Sequence, residues 1–240
     1  MMISPVTYVH FNLEGKSEEE ANREIKKLRR EMNQFKDLLE CEKDRSEVKR
    51  MVPSLYALIS CSRGYLDAAR EYFESQGWEY KPSKIERSDK EFNDRLKDLE
   101  SIRIEYFAFF NGVEIRTITF DNEKILTDRD LSCMSVSEDE KNRVFFKGMT
   151  KNDLLKKLAE LHIGEWVKKP KLFILLDGIL RWSIVFKYSD GKRRRFKGDD
   201  ITPYNFDAFL DAVQMERLED PEVNRRMFES FEKEILRNKP

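Results

Sequence analysis

The sequence predicts an α+β fold in which antiparallel β-hairpins pack with a long inserted helical hairpin and C-terminal helices. Three observations predict it. Two hairpin turn signals, Asn111-Gly112 and Ser189-Asp190-Gly191, each sit between runs of alternating apolar residues. Two long stretches ahead of residue 80 carry apolar residues at helical spacing instead. The chain of 240 residues is 40% apolar and 12% aromatic, enough to bury a core, while 38% charged residues with only 9 Gly and 7 Pro favour charged helical faces joined by short connections.

The elements follow in order. Residues 5–13 place Val9, Phe11 and Leu13 in alternation and read as a strand. Ser17 and Glu20 have capping-box spacing, and Ile25, Leu28, Met32, Phe35 and Leu39 continue on one helical face. Pro53-Ser54 opens a second helix with Leu55, Leu58, Ile59, Leu66, Ala69 and Phe73 inside, and Gly77 stops it. These two pair antiparallel as the inserted hairpin, and the charged connection from Cys41 to Val52 forms its exposed tip. Ser88 and Glu91 suggest another capping box ahead of Phe92, Leu96 and Leu99.

The period then changes to two. With a two-residue turn on Asn111-Gly112, Phe110 faces Val113, Ala108 faces Ile115 and Tyr106 faces Thr117, and Glu105 and Arg116 become a cross-strand ion pair. Asp121-Asn122 turns the chain into a third strand near Lys124 to Thr127, and Arg143 to Lys147 is a further strand candidate. Thr150 and Asp153 cap a helix bearing Leu154, Leu155, Leu158 and Leu161 that ends near Gly164. Lys171 to Leu176 reads as a strand with a turn at Asp177-Gly178. Thr202-Pro203 and Asp220-Pro221 open two final helices, one with Phe206, Phe209, Leu210 and Val213 inside, the other with Val223, Met227, Phe231 and Ile235. Residues 1–148 and 149–240 form the expected subdomains.

The second hairpin has two registers open to it. A two-residue loop on Asp190-Gly191 mixes Arg195 and Lys197 into the aromatic face. A bulged turn with Gly191 left-handed sets Phe196 opposite Ile184 and Gly198 opposite Trp182, which gathers Trp182, Ile184, Phe186, Tyr188 and Phe196 on one side. The bulge is the expected choice. Lys187, Arg193, Arg195 and Lys197 then share the other side.

Charge is segregated along the chain. From Arg181 to Gly198 seven basic residues stand against Asp190, a local +6 in a chain of net −1. Such a ribbon attracts a phosphate backbone or an acidic protein surface, and it also keeps an edge strand from pairing with other chains. From Asp121 to Glu140 seven acidic residues meet two basic ones, a local −5 that includes Asp121, Glu123, Asp128 and Asp130. A divalent-ion site needs carboxylates that converge on one point, and no spacing here imposes that.

Catalytic motifs are missing. No phosphate-binding loop, dinucleotide fingerprint or nucleophile elbow occurs, and His10 and His162 are the only histidines. Cys41, Cys61 and Cys133 lack the spacing of a disulfide framework or a zinc site, so reduced thiols are expected. No segment approaches the roughly 18 apolar residues of a membrane span, and the N-terminal MMISPVTYVH lacks the pattern of a secretion signal, so a cytoplasmic protein is expected. Among the aromatics, Trp78 and Tyr80, just past a helix end, are the expected exposed pair, whereas Trp182 and Tyr204 belong inside.

Trp182-Ser183-Ile184, Tyr188, Asp190-Gly191, Phe196, Gly198, Pro203 and Asn205-Phe206, preceded by Leu161 to Trp166, resemble the C-terminal part of uncharacterised small proteins of Clostridia-like bacteria. The resemblance covers at most a third of the chain. It implies a bacterial or mobile-element source and a hairpin-then-helix layout, and it brings no catalytic residue.

The expected function is a non-enzymatic binding protein, an inhibitor or accessory factor that covers a surface of a larger protein partner, by analogy with bacterial defence or anti-defence factors. No catalytic residue, metal or cofactor is expected. The candidate partner-binding residues are Lys187, Arg193, Arg195 and Lys197 on the basic side and Asp121, Glu123, Asp128 and Asp130 on the acidic side. The alternative is nucleic-acid binding through the basic hairpin, with Lys168, Lys169 and Lys171 assisting, although a sequence pI near 6.3 is low for a dedicated binder. A metal-dependent hydrolase using the acidic run ranks last.

Overall fold

The computed structural model describes residues 3–41, 52–108, 112–131, 144–167, 180–199 and 201–215, and the chain divides into two units, residues 1–83 and 84–240. In the first unit the residues read as a strand form a helix, α1 (Pro5–Asn12). Ser4 accepts a hydrogen bond from the Thr7 amide at 3.1 Å, and Pro5 occupies the first turn, where its missing N–H costs nothing. That start signal overrides the alternation of Val9, Phe11 and Leu13. Tyr8 stacks on Tyr65 with ring centroids 4.6 Å apart, and the Tyr65 hydroxyl donates to the Ile3 carbonyl at 2.9 Å.

The other two helices follow the predicted pattern. Glu20 accepts from the Ser17 amide at 2.9 Å and opens α2 (Glu18–Cys41), which buries Ala21, Ile25, Leu28, Met32 and Leu39. Ser54 caps α3 (Leu55–Ser75), whose buried stripe is Leu55, Ile59, Leu66, Ala69 and Phe73, and Gly77 with φ +70 turns the chain away. Arg29 of α2 and Arg70 near the end of α3 both lie over the ring of Tyr80, at 5.3 and 5.2 Å, which joins the middle of α2 to the end of α3. The predicted tip between them lies outside the described residues.

The second unit is a five-stranded antiparallel sheet with helices against one face. Its strands are β1 (Leu99–Ala108), β2 (Gly112–Asp121), β3 (Lys124–Asp130), β4 (Leu180–Tyr188) and β5 (Arg193–Asp199), in the spatial order β3-β2-β1-β4-β5. The α+β class is therefore as the sequence predicts. The sequence-expected division at residue 148 falls between strands of this one sheet. Helices α4 (Lys84–Arg95), α5 (Lys151–Glu160) and α6 (Phe206–Ala212) cover the inner face with Phe92, Leu154, Leu158, Phe206, Phe209 and Leu210.

The bulged register of the second hairpin holds. Phe196 pairs with Ile184 and Gly198 with Trp182, and Gly191 has φ +79. Trp182 needs that glycine, because a Cβ on Gly198 would sit 2.7 Å from its indole. At the centre of the core Trp166 meets Trp182, Phe196, Phe206 and Phe209 at centroid separations of 5.5 to 6.0 Å, and its Nε1 donates to Asn205 Oδ1 at 2.7 Å.

The first hairpin departs from expectation by three residues. Ala108 pairs with Gly112, Tyr106 with Glu114, Ile104 with Arg116 and Ile102 with Ile118. An odd slip exchanges the faces of β2, so Glu114 and Arg116 point inward and Val113, Ile115 and Thr117 outward. Glu105 stays on the outer face and pairs with Arg103 at 3.1 Å, so the expected Glu105–Arg116 pair does not form.

Three smaller starts also shift. Ser88 lies one turn inside α4 instead of capping it, and its hydroxyl donates to the Gly164 carbonyl at 2.7 Å. Helix α6 begins at Phe206, because the Phe206 amide bonds back to the Pro203 carbonyl at 2.9 Å and the chain from Thr202 to Asn205 is a turn. Residues 144–147 form no strand: Phe146 is left-handed at φ 55, and its amide donates to Gln214 Oε1 at 2.8 Å. Thr150 and Asp153 cap α5 reciprocally, as predicted. The expected strand at 171–176 and the helix after Pro221 lie outside the described residues.

Two glycines predict different costs. Around Gly191 nothing lies within 4 Å of a Cβ, so Gly191→Ala costs only the strain of a side chain at φ +79, about 1 kcal/mol in urea unfolding. A Cβ on Gly164 would meet Asp89 Cα at 2.4 Å and the Ser88 carbonyl at 2.7 Å. Gly164→Ala forces two backbones apart and is expected to cost about 3 kcal/mol in the same measurement.

Candidate interaction face of the sheet

The outer face follows from the registers. Three rows cross all five strands: Asp130, Ile115, Glu105, Ser183, Lys197; then Asp128, Thr117, Arg103, Val185, Arg195; then Leu126, Thr119, Ser101, Lys187, Arg193. Each row starts on edge strand β3 and ends in a cation on edge strand β5. At about 4.8 Å per strand the two edges are about 19 Å apart. Asp128 and Asp130, distant in sequence from the basic candidates, thus stand across one surface from them.

The basic side assembles as predicted. Arg193, Arg195 and Lys197 are exposed and follow one another at every second residue of β5. Arg195 Nε donates to Ser183 Oγ at 3.0 Å, and Lys187 pairs with Glu100 at 2.9 Å. The acidic residue of the hairpin turn is engaged locally: Asp190 accepts from the Lys192 amide at 3.0 Å and from Arg95 at 2.7 Å, and these bonds hold its carboxyl below the usual range.

Arg194 behaves differently from its neighbours. It stands opposite Phe186 on the inner face and donates to Ser88 Oγ at 2.6 Å, to the Ser88 carbonyl at 3.1 Å and to the Gly164 carbonyl at 3.2 Å. Phe92 and Phe196 lie 5.4 and 5.2 Å from its guanidinium carbon. Burial lowers its pKa, because the charged form loses water. It fastens β5 to α4 and to the turn at Gly164.

The acidic side is smaller than predicted. Asp128 and Asp130 share the outer face of β3, and Asp121 lies on that face at the far end of β2, opposite Lys124. Glu123 leaves the face: it sits in the turn between β2 and β3 and accepts from Asn152 Nδ2 at 3.2 Å. The four carboxylates do not converge. Among the described residues, the group whose donor atoms lie within 4.8 Å of one another is Asp89, His162 and Glu165. His162 Nδ1 is 2.7 Å from Asp89 Oδ2, and this contact ties α4 to the 3-10 turn Ile163–Glu165.

The buried polar group that sequence reading misses is on the inner face. Arg116 is 1% exposed and donates to Glu114 at 2.6 Å, to the Val213 carbonyl at 2.9 Å and to the Gln214 carbonyl at 2.8 Å. Arg129 reaches the same Glu114 oxygen at 2.9 Å, and Phe145 stacks 4.0 Å from the Arg116 guanidinium carbon. The sequence cue is Glu114 two residues from Arg116, on one side of β2, a pair that alternation alone assigns to solvent.

In the first unit Trp78 and Tyr80 are not an exposed platform. Both are partly buried edge-on against Phe73, at 5.4 and 5.9 Å. Among the described residues no helix is long and apolar enough to cross a membrane. No family model, curated protein or solved structure matches this chain.

Buried and exposed acids predict opposite outcomes. Glu114→Ala leaves two arginine side chains without their shared carboxylate and is expected to lower stability by about 3 to 5 kcal/mol in chemical denaturation. Asp128→Asn on the exposed face is expected to stay within about 0.5 kcal/mol of the wild type.

Proposed function

We propose that the chain is a non-enzymatic binding protein, an inhibitor or accessory factor that lays the outer face of its sheet on a larger protein partner. The observation that carries this reading is the arrangement of Asp128 and Asp130 at one edge and Arg193, Arg195 and Lys197 at the other edge of the same exposed face. Opposite charges about 19 Å apart orient a partner that presents the complementary pair, and they raise the rate of productive encounter. Val113, Ile115 and Val185 between them supply apolar contact. The C-terminal resemblance suggests a bacterial or mobile-element source, and defence or anti-defence enters by analogy with inhibitors of this general character.

Nucleic-acid binding is the competing reading, and the exposed cations of β5 favour it. The carboxylates on the same face and the net charge of −1 oppose it, since a continuous phosphate backbone crossing the sheet meets Asp128 and Asp130.

The test replaces Lys187, Arg193, Arg195 and Lys197 by Ser. Stability is expected to change little, because these side chains are exposed or half-exposed. Nuclease-treated extract of the native host, passed over immobilised wild-type protein, is expected to yield a protein partner whose association the quadruple variant slows by about tenfold or more. Labelled DNA and RNA are expected to bind poorly at physiological salt. Micromolar, salt-sensitive nucleic-acid binding that the variant loses, with a log–log slope reduced by about 3 to 4, overturns the protein-docking reading.

A further inference from the structure

We infer that the outer face of the sheet also binds a second copy of this chain, with the β3 edge of each copy over the β5 edge of the other. The inference rests on the docking reading above and names one partner of that face. A surface with opposite charges at its two edges is complementary to itself under one two-fold operation. An axis running along β1, the central strand, lays β3 over β5 and β5 over β3, whereas an axis across the strands lays like charge on like.

The register makes the match specific. Along that axis the rows coincide, so Asp128 meets Arg195 of the second copy and Asp130 meets Lys197 of the second copy, and each contact occurs twice. Ile115 comes over Ser183 and Thr117 over Val185. On the axis itself Arg103 comes over Arg103 and Glu105 over Glu105 of the second copy, a like-charge contact that the 3.1 Å Arg103–Glu105 pair within each chain offsets. Among the described residues, Asp128, Arg193 and Lys197 make no ion pair within their own chain.

Extent sets the strength. Five strands about 24 Å across and about 25 Å long offer roughly 600 Å² per copy, which is at the lower limit of specific interfaces and implies reversible, micromolar association. The dimer covers the same face that the larger partner needs, so self-association and partner binding compete, and dilution opens the face.

Sedimentation equilibrium from about 1 to 300 μM tests this, a range set to bracket micromolar association. The wild type is expected to pass from monomer to dimer, with rising salt weakening the dimer. The variant Arg193→Glu/Arg195→Glu/Lys197→Glu and the variant Asp128→Lys/Asp130→Lys are each expected to lose at least about tenfold in self-association. Mixed together they are expected to form a heterodimer, since each reversed edge now faces an opposite charge. The chain carrying all five changes is expected to dimerise again, which shows that the reversals leave the fold intact. A wild type that remains monomeric, a dimer indifferent to both reversals, or a mixture that fails to associate overturns the inference. A monomer that still captures a protein partner leaves the docking reading standing. A charge-dependent dimer with no captured partner leaves self-association and removes the docking reading.

Discussion

A guanidinium inside the core decides which side of the sheet faces water. Arg116 cannot give up its charge and carries five N–H donors, so a buried position requires acceptors on several sides. It finds them in Glu114 on its own strand and in the Val213 and Gln214 carbonyls beyond α6. The Val213 carbonyl, at the C-cap of α6, is among the groups that a helix end leaves without internal partners. The pairing therefore satisfies a charged side chain and a helix terminus together. It also turns β2 so that Val113, Ile115 and Thr117 point away from the helices, and the face proposed for docking is the reverse side of this arrangement.

The opposite end of the sheet is held by a related device. Gly164 brings the turn after α5 into backbone contact with α4, and the space there admits no side chain. Ser88, Arg194 and the His162–Asp89 pair surround that contact with hydrogen bonds. Trp166, two residues on, is thereby set into the aromatic centre beside Trp182, Phe196, Phe206 and Phe209. Polar groups thus fix the approach of the helices to β5, and the aromatic rings fill the space so defined.

The parts of this structure that can be read from sequence are those where two independent signals agree. In the β4–β5 hairpin the turn residues and the aromatic partition both require the bulge, and the basic side of the candidate face follows from it. In the β1–β2 hairpin they conflict, because Asn111-Gly112 favours a two-residue turn while both faces of β2 carry apolar residues. Arg116 breaks the tie through partners nearly a hundred residues away, a distance over which local patterning carries no information. At Ser4-Pro5 the conflict is simpler: a cap and a proline together specify a helix start, and they outweigh alternation over the three residues Val9, Phe11 and Leu13. The acidic side was legible as composition only, since the turn that removes Glu123 from the face is made by backbone pairing and not by charge.

The three arginines of β5 illustrate how unequal a uniform run becomes once folded. Arg193 and Arg195 present their charge to solvent, Arg195 with one bond to Ser183 Oγ that a single ammonium donor also reaches, so lysine at either position keeps the sign. Arg194 spreads its donors over a hydroxyl and two carbonyls from two segments while its flat face rests near two phenyl rings. An ammonium has neither the fork nor the plane for that position. Related chains that keep this fold should therefore vary freely between lysine and arginine on either side of position 194 and hold arginine at 194 itself, a pattern of substitution that separates the surface contribution of the run from its part in the core.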